Sequence, residues 1–232
     1  HPYVISEIKK QIQKYMHVMV YGEYIQKPAV ELCENIIKRL PEKLDIIYLT
    51  NSGTEAIEGA LKLAKKVTGR KEFIAAKNSY HGSTQGALSL LGVEDQKKGY
   101  EPLLPGVKFM RFNNINDINL INSKTAAVVL ETIQGGAGFI LPKNNFLKLV
   151  KKKCQSTGTL LILDEIQPGF GRTGKLFGFE HYDVIPDIIV MGKGMGGGLP
   201  IGAFCSSKKM MRLLENNPTL GHITTFGGNP VV

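Results

Sequence analysis

The amino-terminal part of the chain has the apolar spacing of helices. Over Tyr3–Met19, apolar side chains recur every three or four positions, which predicts an amphipathic helix. A second pattern of this kind covers Ala29–Leu40 and stops at Pro41, a residue that interrupts helices. We therefore expect a helical segment over residues 1–44.

From residue 45 onwards, short apolar and β-branched runs alternate with two long helical patterns, Thr54–Val67 and Asn144–Thr157. Strands that alternate with helices are typical of a mostly parallel sheet covered on both faces. Ala126–Leu130 and Leu160–Leu163 are apolar throughout, as doubly buried strands should be. We expect one large α/β domain over residues 45–232. The predicted strands are Ile46–Thr50, Phe73–Ala76, Lys108–Arg111, Ala126–Glu131, Leu160–Asp164, Asp187–Met191 and Gly202–Cys205.

The composition is that of an ordinary globular protein. The 232 residues are 43% hydrophobic and 21% charged, which excludes a disordered, collagen-like or disulfide-dense chain. Cys33, Cys154 and Cys205 form no CxxC pair, so we expect reduced thiols and a cytoplasmic location. The histidines are scattered without an HExxH motif, so we expect no metal site. No apolar run reaches the roughly 18 residues of a membrane helix, so we expect no membrane partner.

The net charge of +9 is compatible with nucleic-acid binding, but its distribution is not. The lysines are spread along the chain, whereas nucleic-acid-binding surfaces gather basic and aromatic residues in one stripe. The densest group, Lys148 with Lys151–Lys153, lies on a helical pattern between apolar residues, which is typical of a solvated helix face. We therefore expect no nucleic-acid partner.

Three predicted strands are followed by residues suited to a ligand, and ligands of such sheets bind beyond the carboxyl ends of the strands. Ser52, Gly53 and Thr54 precede a helix, whose first N–H groups favour a phosphate; a simple helix cap is the alternative. Asp164 ends a buried strand. Lys193 follows another strand between two glycines, where a planar ligand can approach its amine; a flexible loop with a solvated lysine is the alternative.

A nucleotide hydrolase is a competing interpretation of one of these regions. The run Gly169–Lys175 has most of the P-loop spacing, and it follows Asp164-Glu165, which resembles a magnesium-binding strand end. The match fails because Leu176 stands where Ser or Thr should bind magnesium, and because the run does not follow a strand of its own. The sequence therefore disfavours a nucleotide hydrolase.

The three strand ends together predict one cofactor. A phosphate seat, a carboxylate for a ring nitrogen and a lysine that forms a Schiff base are the groups that pyridoxal phosphate requires. The carboxylate keeps the pyridine nitrogen protonated, so that the ring accepts electrons from the substrate. The sequence therefore predicts a pyridoxal phosphate site built from Ser52–Thr54, Asp164 and Lys193.

Five motifs make the chain resemble the class III aminotransferases, the group that includes ornithine, acetylornithine and 4-aminobutyrate aminotransferases. They are NSGTEAIEGALKLA (Asn51–Ala64), YHGST (Tyr80–Thr84), LILDEIQPGFGRTG (Leu161–Gly174), PDIIVMGKGMGGGLPIGA (Pro186–Ala203) and TTFGGNP (Thr224–Pro230). The resemblance implies a pyridoxal-phosphate-dependent transferase of fold type I, of which this chain would be the large domain. We expect the chain to lack the small carboxyl-terminal domain and to be part of a longer protein.

The resemblance also implies roles around the cofactor ring. Lys193 would form the Schiff base and act as the acid and base of the proton shift. Asp164 would pair with the pyridinium nitrogen, and Gln167 would lie near the phenolic oxygen of the cofactor. Tyr80 would stack on the face of the ring.

At the phosphate, the resemblance implies a shared site. Gly53 and Thr54 would bind the phosphate, with Ser52 beside them, and Thr225 would reach the phosphate bound to a neighbouring subunit. A loop hydroxyl bonded within its own chain is the alternative for Thr225. The resemblance thus implies a homodimer with shared active sites. Four apolar residues near the first helix are expected at its interface: Met16, Val18, Met19 and Val20.

The activity that the resemblance implies is transamination. An aminotransferase moves an amino group from an amino acid or amine to a 2-oxo acid in a ping-pong cycle through the pyridoxamine form of the cofactor. Two alternatives stay open, because the cofactor residues are shared between them. One is another pyridoxal phosphate reaction on this fold, such as that of an aminomutase, racemase or decarboxylase, and the other is an inactive fragment.

Two positions depart from the family's motifs. Ser83 stands two residues after the histidine of the YHG motif, where acetylornithine enzymes have a substrate-binding arginine. Gly136 replaces a glutamate that masks a carboxylate-binding arginine in glutamate-using members. Both departures disfavour acetylornithine, ornithine and 4-aminobutyrate as the substrate. Gly136 also favours pyruvate or a monocarboxylate over glutamate.

Overall fold

The computed structural model describes residues 1–19 and 24–232. Two helices precede the sheet, α1 (Pro2–Tyr15) and α2 (Lys27–Ile37). The prediction that the first helix extends to Met19 was wrong: the helix ends at Tyr15, shortly before His17 and Val18, which are weaker helix formers. Val20, which we expect at a subunit interface, lies outside the described residues.

A seven-stranded sheet follows these helices, in the order β1-β7-β6-β5-β4-β2-β3. Only β7 is antiparallel to its neighbours, β1 and β6, so the mostly parallel sheet expected from the sequence is confirmed. The strands are β1 (Ile46–Thr50), β2 (Glu72–Ala76), β3 (Val107–Met110), β4 (Thr125–Glu131), β5 (Leu160–Asp164), β6 (Ile188–Gly192) and β7 (Gly202–Ser206).

Helices cover both faces of the sheet, as predicted. On one face α3 packs through Leu61 and Leu63 against Phe73 and Phe204, and on the other α5 packs through Phe146. Every residue of β4, β5 and β6 is buried, which explains why these strands read as continuous apolar runs. The helices after β1 are α3 (Gly53–Thr68), α4 (Gln85–Ser89), α5 (Phe146–Thr157) and α6 (Lys208–Met211).

The direction of β7 decides where the strand ends meet. Because β7 is antiparallel to both β1 and β6, β1 points the same way as β6 and β5. The carboxyl ends of these three strands therefore lie at one edge of the sheet. Ser52, Asp164 and Lys193 come at or just after those ends, so the fold places the three predicted sites at the same edge.

Within residues 1–19 and 24–232, no helix is long and apolar enough to cross a membrane. The same residues contain no group of three His, Cys, Asp or Glu side chains placed to hold a metal ion. The division of the chain at residue 44 stays a prediction, although the sheet does begin directly after it, at Ile46.

Candidate active site

A cavity of about 530 Å³ opens at this edge of the sheet. Such a volume is ordinary for a small-molecule or cofactor site. Its floor is polar and buried, and its mouth is exposed. The residues that line it are Gly53, Thr54, Tyr80, His81, Gly82, Ser83, Glu131, Gly135, Gly136, Phe139, Asp164, Ile166, Gln167 and Lys193.

One end of the cavity is the start of α3. The hydroxyl of Ser52 caps this helix by accepting a hydrogen bond from the Glu55 N–H at 3.3 Å. Gly53 and Thr54 occupy the first turn, where N–H groups have no partner within the helix. A side chain at Gly53 would lie 2.6 Å from Cδ1 of Ile166, so the glycine lets the helix start close to the loop after β5. This end of the cavity suits an anion.

The side chain of Thr54 belongs to a hydrogen-bond chain that ends on a carboxylate. Its hydroxyl lies 2.7 Å from the hydroxyl of Thr84, which donates to Glu58 Oε1 at 2.6 Å. Glu58 Oε1 also accepts the N–H groups of Gly86 and Ala87 at the start of α4. Since the Thr84 proton goes to Glu58, Thr54 donates its own proton to Thr84. This end of the cavity is therefore held in place by α4 as well as by α3.

The floor of the cavity holds a buried histidine–carboxylate pair. Asp164 Oδ2 lies 2.7 Å from His81 Nδ1, and the two residues are 3% and 2% exposed. Asp164 Oδ1 accepts the Ile166 N–H at 3.0 Å. Both oxygens of Asp164 thus have a donor, which holds the carboxylate in one orientation. The other ring nitrogen of His81, Nε2, is buried and has no partner among the described residues.

Lys193 stands opposite this pair on the turn after β6. Its Nζ donates to Gln167 Oε1 at 2.7 Å, and its backbone adopts a positive φ of 45°, which is unusual for a residue with a side chain. Such strain is concentrated at functional sites. Lys193 is exposed in this chain, so the desolvation that would activate its amine is not supplied by these residues alone.

A second buried carboxylate, Glu131, lies at the end of β4. Its Oε1 accepts the Gly135 N–H at 3.0 Å and its Oε2 accepts the Tyr80 N–H at 3.3 Å, so it joins two loops of the cavity wall. Burial raises the pKa of the Glu131 carboxyl, and the Asp164 carboxylate raises it further, whereas His81 lowers it. Glu131 is therefore easier to protonate than an ordinary glutamate.

Glu165 supports the loop below the cavity. It is fully buried and accepts hydrogen bonds from the Thr132 hydroxyl at 2.6 Å and from the N–H groups of Gly178 and Phe179 at 2.7 and 2.8 Å. Burial raises the pKa of Glu165 to about 7, although these three donors lower it. The run with P-loop spacing forms turns in this loop and opens no helix, which agrees with the rejection of a nucleotide hydrolase.

The structure brings most of the predicted site residues together: Gly53, Thr54, Tyr80, Asp164, Gln167 and Lys193. Ser52 and Thr225 are not among the residues that line the cavity. Thr225 follows Thr224, whose hydroxyl accepts a hydrogen bond from Asn51 at 2.8 Å. The segment that contains Thr225 therefore packs beside the phosphate end of α3 in its own chain.

Sequence reasoning missed two residues of the floor, His81 and Glu131. Glu131 ends a buried strand next to β5, opposite Asp164 in the register, so the strand-end rule that found Asp164 could also have found it. His81 comes from a loop, and only its place beside Tyr80 in the YHG motif signals it. The histidines are scattered along the sequence, and their positions gave no sign that His81 contacts a carboxylate.

The sequence of the whole chain matches a known protein family. The model of the family called Aminotransferase class-III matches residues 1–232. The chain belongs to the class-III aminotransferase family.

Curated class-III aminotransferases match nearly the whole chain. It is 42% identical to a [LysW]-aminoadipate semialdehyde/glutamate semialdehyde transaminase of Sulfolobus acidocaldarius, over 99% of this chain and 58% of that protein. It is 39% identical to an acetylornithine aminotransferase of Methanopyrus kandleri, over 100% of this chain and 58% of that protein. The chain thus spans about 58% of the length of these relatives.

Solved class-III structures confirm the fold. An ornithine aminotransferase of Toxoplasma gondii superposes with a TM-score of 0.90 at 30% identity, covering 100% of this chain and 56% of that one; it is described with partial occupancy of pyridoxal phosphate at its active site. An (S)-enantioselective omega-transaminase of Thermomicrobium roseum superposes with a TM-score of 0.91 at 27% identity, covering 100% of this chain and 58% of that one. The chain therefore has the large-domain architecture of fold type I transaminases.

The cofactor of class-III aminotransferases is pyridoxal phosphate, and the cavity suits it chemically. The start of α3 offers N–H groups to a phosphate, the oriented Asp164 carboxylate suits a protonated ring nitrogen, and Lys193 offers a primary amine to an aldehyde. These three groups line one cavity. The donor set thus fits the cofactor that the family uses.

Proposed function

We propose that the full-length protein transfers an amino group from an amino acid or amine to a 2-oxo acid in a ping-pong cycle. The observation that carries this proposal is the convergence of Lys193, the His81–Asp164 pair and the start of α3 on one cavity. When bound, pyridoxal phosphate supplies an electron sink and carries the amino group between the two half-reactions.

In this proposal Asp164 accepts a hydrogen bond from the ring nitrogen of the cofactor and keeps it protonated. His81 and the Ile166 N–H hold the carboxylate in place from the other side, at 2.7 and 3.0 Å. The fixed negative charge is effective because the pair is buried, where electrostatic interactions are stronger than in water. Asp164 is thus the anchor of the ring, and His81 is its positioning residue.

Lys193 is the proposed acid and base of the proton shift. Gln167 holds Nζ by the hydrogen bond at 2.7 Å, and the left-handed backbone of Lys193 aims the side chain at the cavity. Tyr80 is proposed to cover one face of the cofactor ring, with its backbone held by Glu131. Gly53 and Thr54 are proposed to bind the phosphate, with Ser52 capping the helix behind them.

The substrate proposal rests on the relatives. Those at 42% and 39% identity are named for aminoadipate or glutamate semialdehyde and for acetylornithine. In each case the reacting carbon lies at the end of a carbon chain. We therefore propose a terminal primary amine as the donor. Ser83 and Gly136 place no charge in the cavity, so the way in which this protein holds the rest of the donor differs from the family pattern.

We also propose that the protein is a homodimer with shared active sites in the cytoplasm. Lys193, Tyr80 and Phe139 are exposed in the single chain, and a partner would cover such a mouth. Met16 and Met19 after α1 are exposed apolar residues, which suits an interface. In this arrangement Thr225 reaches the phosphate of the neighbouring subunit.

The experiment is borohydride reduction of the full-length protein with pyridoxal phosphate, followed by peptide mapping. We expect the reduced adduct on Lys193 only, and none in the Lys193→Ala variant. Lys175→Ala is the matched control, because Lys175 is another exposed lysine beside a turn, and its amine donates to the Glu180 carbonyl at 2.8 Å. An adduct on a different lysine contradicts the assignment.

In a second experiment, the full-length protein with bound pyridoxal phosphate is mixed with amino donors in the absence of a 2-oxo acid acceptor. We expect stoichiometric formation of the oxo product and a matching change in cofactor absorbance, as a half-reaction requires. Release of carbon dioxide, inversion of the donor or migration of its amino group would instead identify a decarboxylase, racemase or aminomutase. No reaction with any donor, although the adduct forms on Lys193, would contradict transamination.

A further inference from the structure

The mouth of the cavity differs in chemistry from its floor. The floor carries Glu131, Asp164 and His81, all buried. The exposed lining residues Ser83, Gly136 and Phe139 carry no charge. The lining thus changes from buried and ionisable at the floor to uncharged at these three exposed positions.

Phe139 has a backbone that an aromatic residue rarely adopts. Its φ is 59°, in the left-handed region where a bulky side chain is strained and where glycine or asparagine fits readily. The residue is 67% exposed, so burial in a core does not offset that strain. A strained residue that lines a cavity is a candidate for a role in binding.

The turn that presents Phe139 is firmly held. Gln134 and Ile140 exchange two backbone hydrogen bonds of 3.0 Å, which close the turn at its base. Gln134 is buried, and its side chain donates to the Lys77 carbonyl at 2.5 Å, which ties the turn to the end of β2. Within the turn, the Gly138 N–H donates to the Gly135 carbonyl at 3.0 Å. Phe139 is therefore held at the mouth of the cavity by a loop that these hydrogen bonds stabilise.

Gly136 and Ser83, the other two exposed uncharged positions of the mouth, both lie against Tyr80. A Cβ atom added at Gly136 would lie 3.5 Å from Cβ of Tyr80, which is ordinary contact, so the two residues form one continuous wall. The Ser83 hydroxyl lies 3.2 Å from the Tyr80 hydroxyl, so these two polar groups satisfy each other. Apart from the Lys193 amine, the exposed lining of the mouth is uncharged, and Phe139 contributes an exposed aromatic side chain to it.

We propose that Phe139 is a specificity-determining residue that packs against the carbon chain of the substrate beyond its reacting carbon. The site thereby selects amines whose atoms next to that carbon are uncharged methylene groups, with any carboxylate placed beyond the ring. This inference rests on the proposed transamination. A carboxylate packed against the ring would lose part of its hydration, and the ring offers it no hydrogen bond.

The test measures half-reactions of the full-length holoenzyme with a homologous series of donors: β-alanine and its homologues longer by one, two and three methylene groups. For the parent, we expect the second-order rate constant to rise by about fourfold for each methylene group that the ring covers. In Phe139→Ala we expect the rise to fall below about twofold per methylene group, with the rate of β-alanine little changed.

Two further variants separate this role from a structural one. Phe139→Asn keeps a residue that tolerates the left-handed backbone but removes the ring, and we expect the same flattened series. Leu141→Ala is the matched control, because Leu141 is an exposed apolar residue near Phe139 that does not line the cavity. We expect it to keep the parent's series.

Three outcomes overturn the inference. They are an unchanged series in both Phe139 variants, an equal loss for every donor including β-alanine, and a parent series without dependence on chain length. In each of these, conversion of the donors by the parent still supports transamination. A parent that converts other amino donors but none of this series overturns the inference alone, whereas a parent that converts no amino donor at all contradicts the proposed function as well.

Discussion

Replacing His81 tests whether the buried pair organises the site. In His81→Leu the donor to Asp164 Oδ2 disappears, while the Ile166 N–H stays on Oδ1. The carboxylate then keeps a buried oxygen without a protein donor. We expect the apoprotein to be less stable, and we expect the carboxylate to lose its fixed orientation toward the cofactor ring.

The magnitude follows from the geometry. The hydrogen bond is short, at 2.7 Å, both partners are buried, and the acceptor is a carboxylate. A hydrogen bond to a charged group contributes about 1.5–3 kcal/mol. We therefore expect the free energy of unfolding to fall by about 2–3 kcal/mol in His81→Leu. His81→Asn retains an amide donor near the position of Nδ1, and we expect it to recover about half of this loss.

Isothermal denaturation of the apoprotein and titration with pyridoxal phosphate measure the two effects. The matched control is His181→Leu, since His181 is exposed and its Nε2 lies 3.1 Å from the Thr173 carbonyl. We expect this control to change the free energy of unfolding by less than about 0.5 kcal/mol. Equal stability and equal cofactor affinity in His81→Leu and the control would refute the reasoning.

The remaining predictions concern catalysis, pH and assembly. Asp164→Asn should still hold the cofactor but lose about 4 kcal/mol of transition-state stabilisation, roughly a thousandfold in rate, and a rate within tenfold of the parent contradicts this. Because the pKa of Glu165 is raised to about 7, its stabilising contribution is full below the ordinary glutamate pKa and is lost as the pH rises through 7. Between pH 4.5 and 8 the parent should lose about 3 kcal/mol of unfolding free energy relative to Glu165→Gln; parallel pH profiles speak against it. Half-reactions should be faster with alanine than with glutamate, because Gly136 replaces the glutamate that masks a carboxylate-binding arginine in glutamate-using members of the family. A clear preference for glutamate overturns that interpretation. The full-length protein should sediment as a dimer, and an active monomer argues against shared sites.

Much of the fold was predictable because burial leaves a mark on sequence. The doubly buried strands β4 and β5 read as continuous apolar runs, and α3 and α5 read as helical patterns between them. The antiparallel direction of β7 was not predictable, since a buried strand has the same apolar pattern in either direction. The short helix α4 was missed because five residues are too few to show a period.

The site divides along a similar line. Asp164 and Lys193 were predictable because they stand at strand ends, where the fold itself dictates proximity. The partners of these residues depend on loop conformation, which apolar spacing does not encode. His81 reaches Asp164 from a loop after β2, and Gln134 braces the turn of Phe139 through a backbone carbonyl. Such contacts join residues that are far apart in the sequence, so no local sequence pattern predicts them.

The separation of floor and mouth has a consequence for how such a site can change. Glu131, Asp164 and Glu165 are buried in networks where each carboxylate accepts at least two hydrogen bonds, so a substitution there disturbs the fold and the cofactor together. Gly136 and Phe139 at the mouth are exposed, and neither has a polar side chain that could join these hydrogen-bond networks. If the proposed roles hold, substrate choice can therefore change at the mouth without a change in the buried residues of the floor.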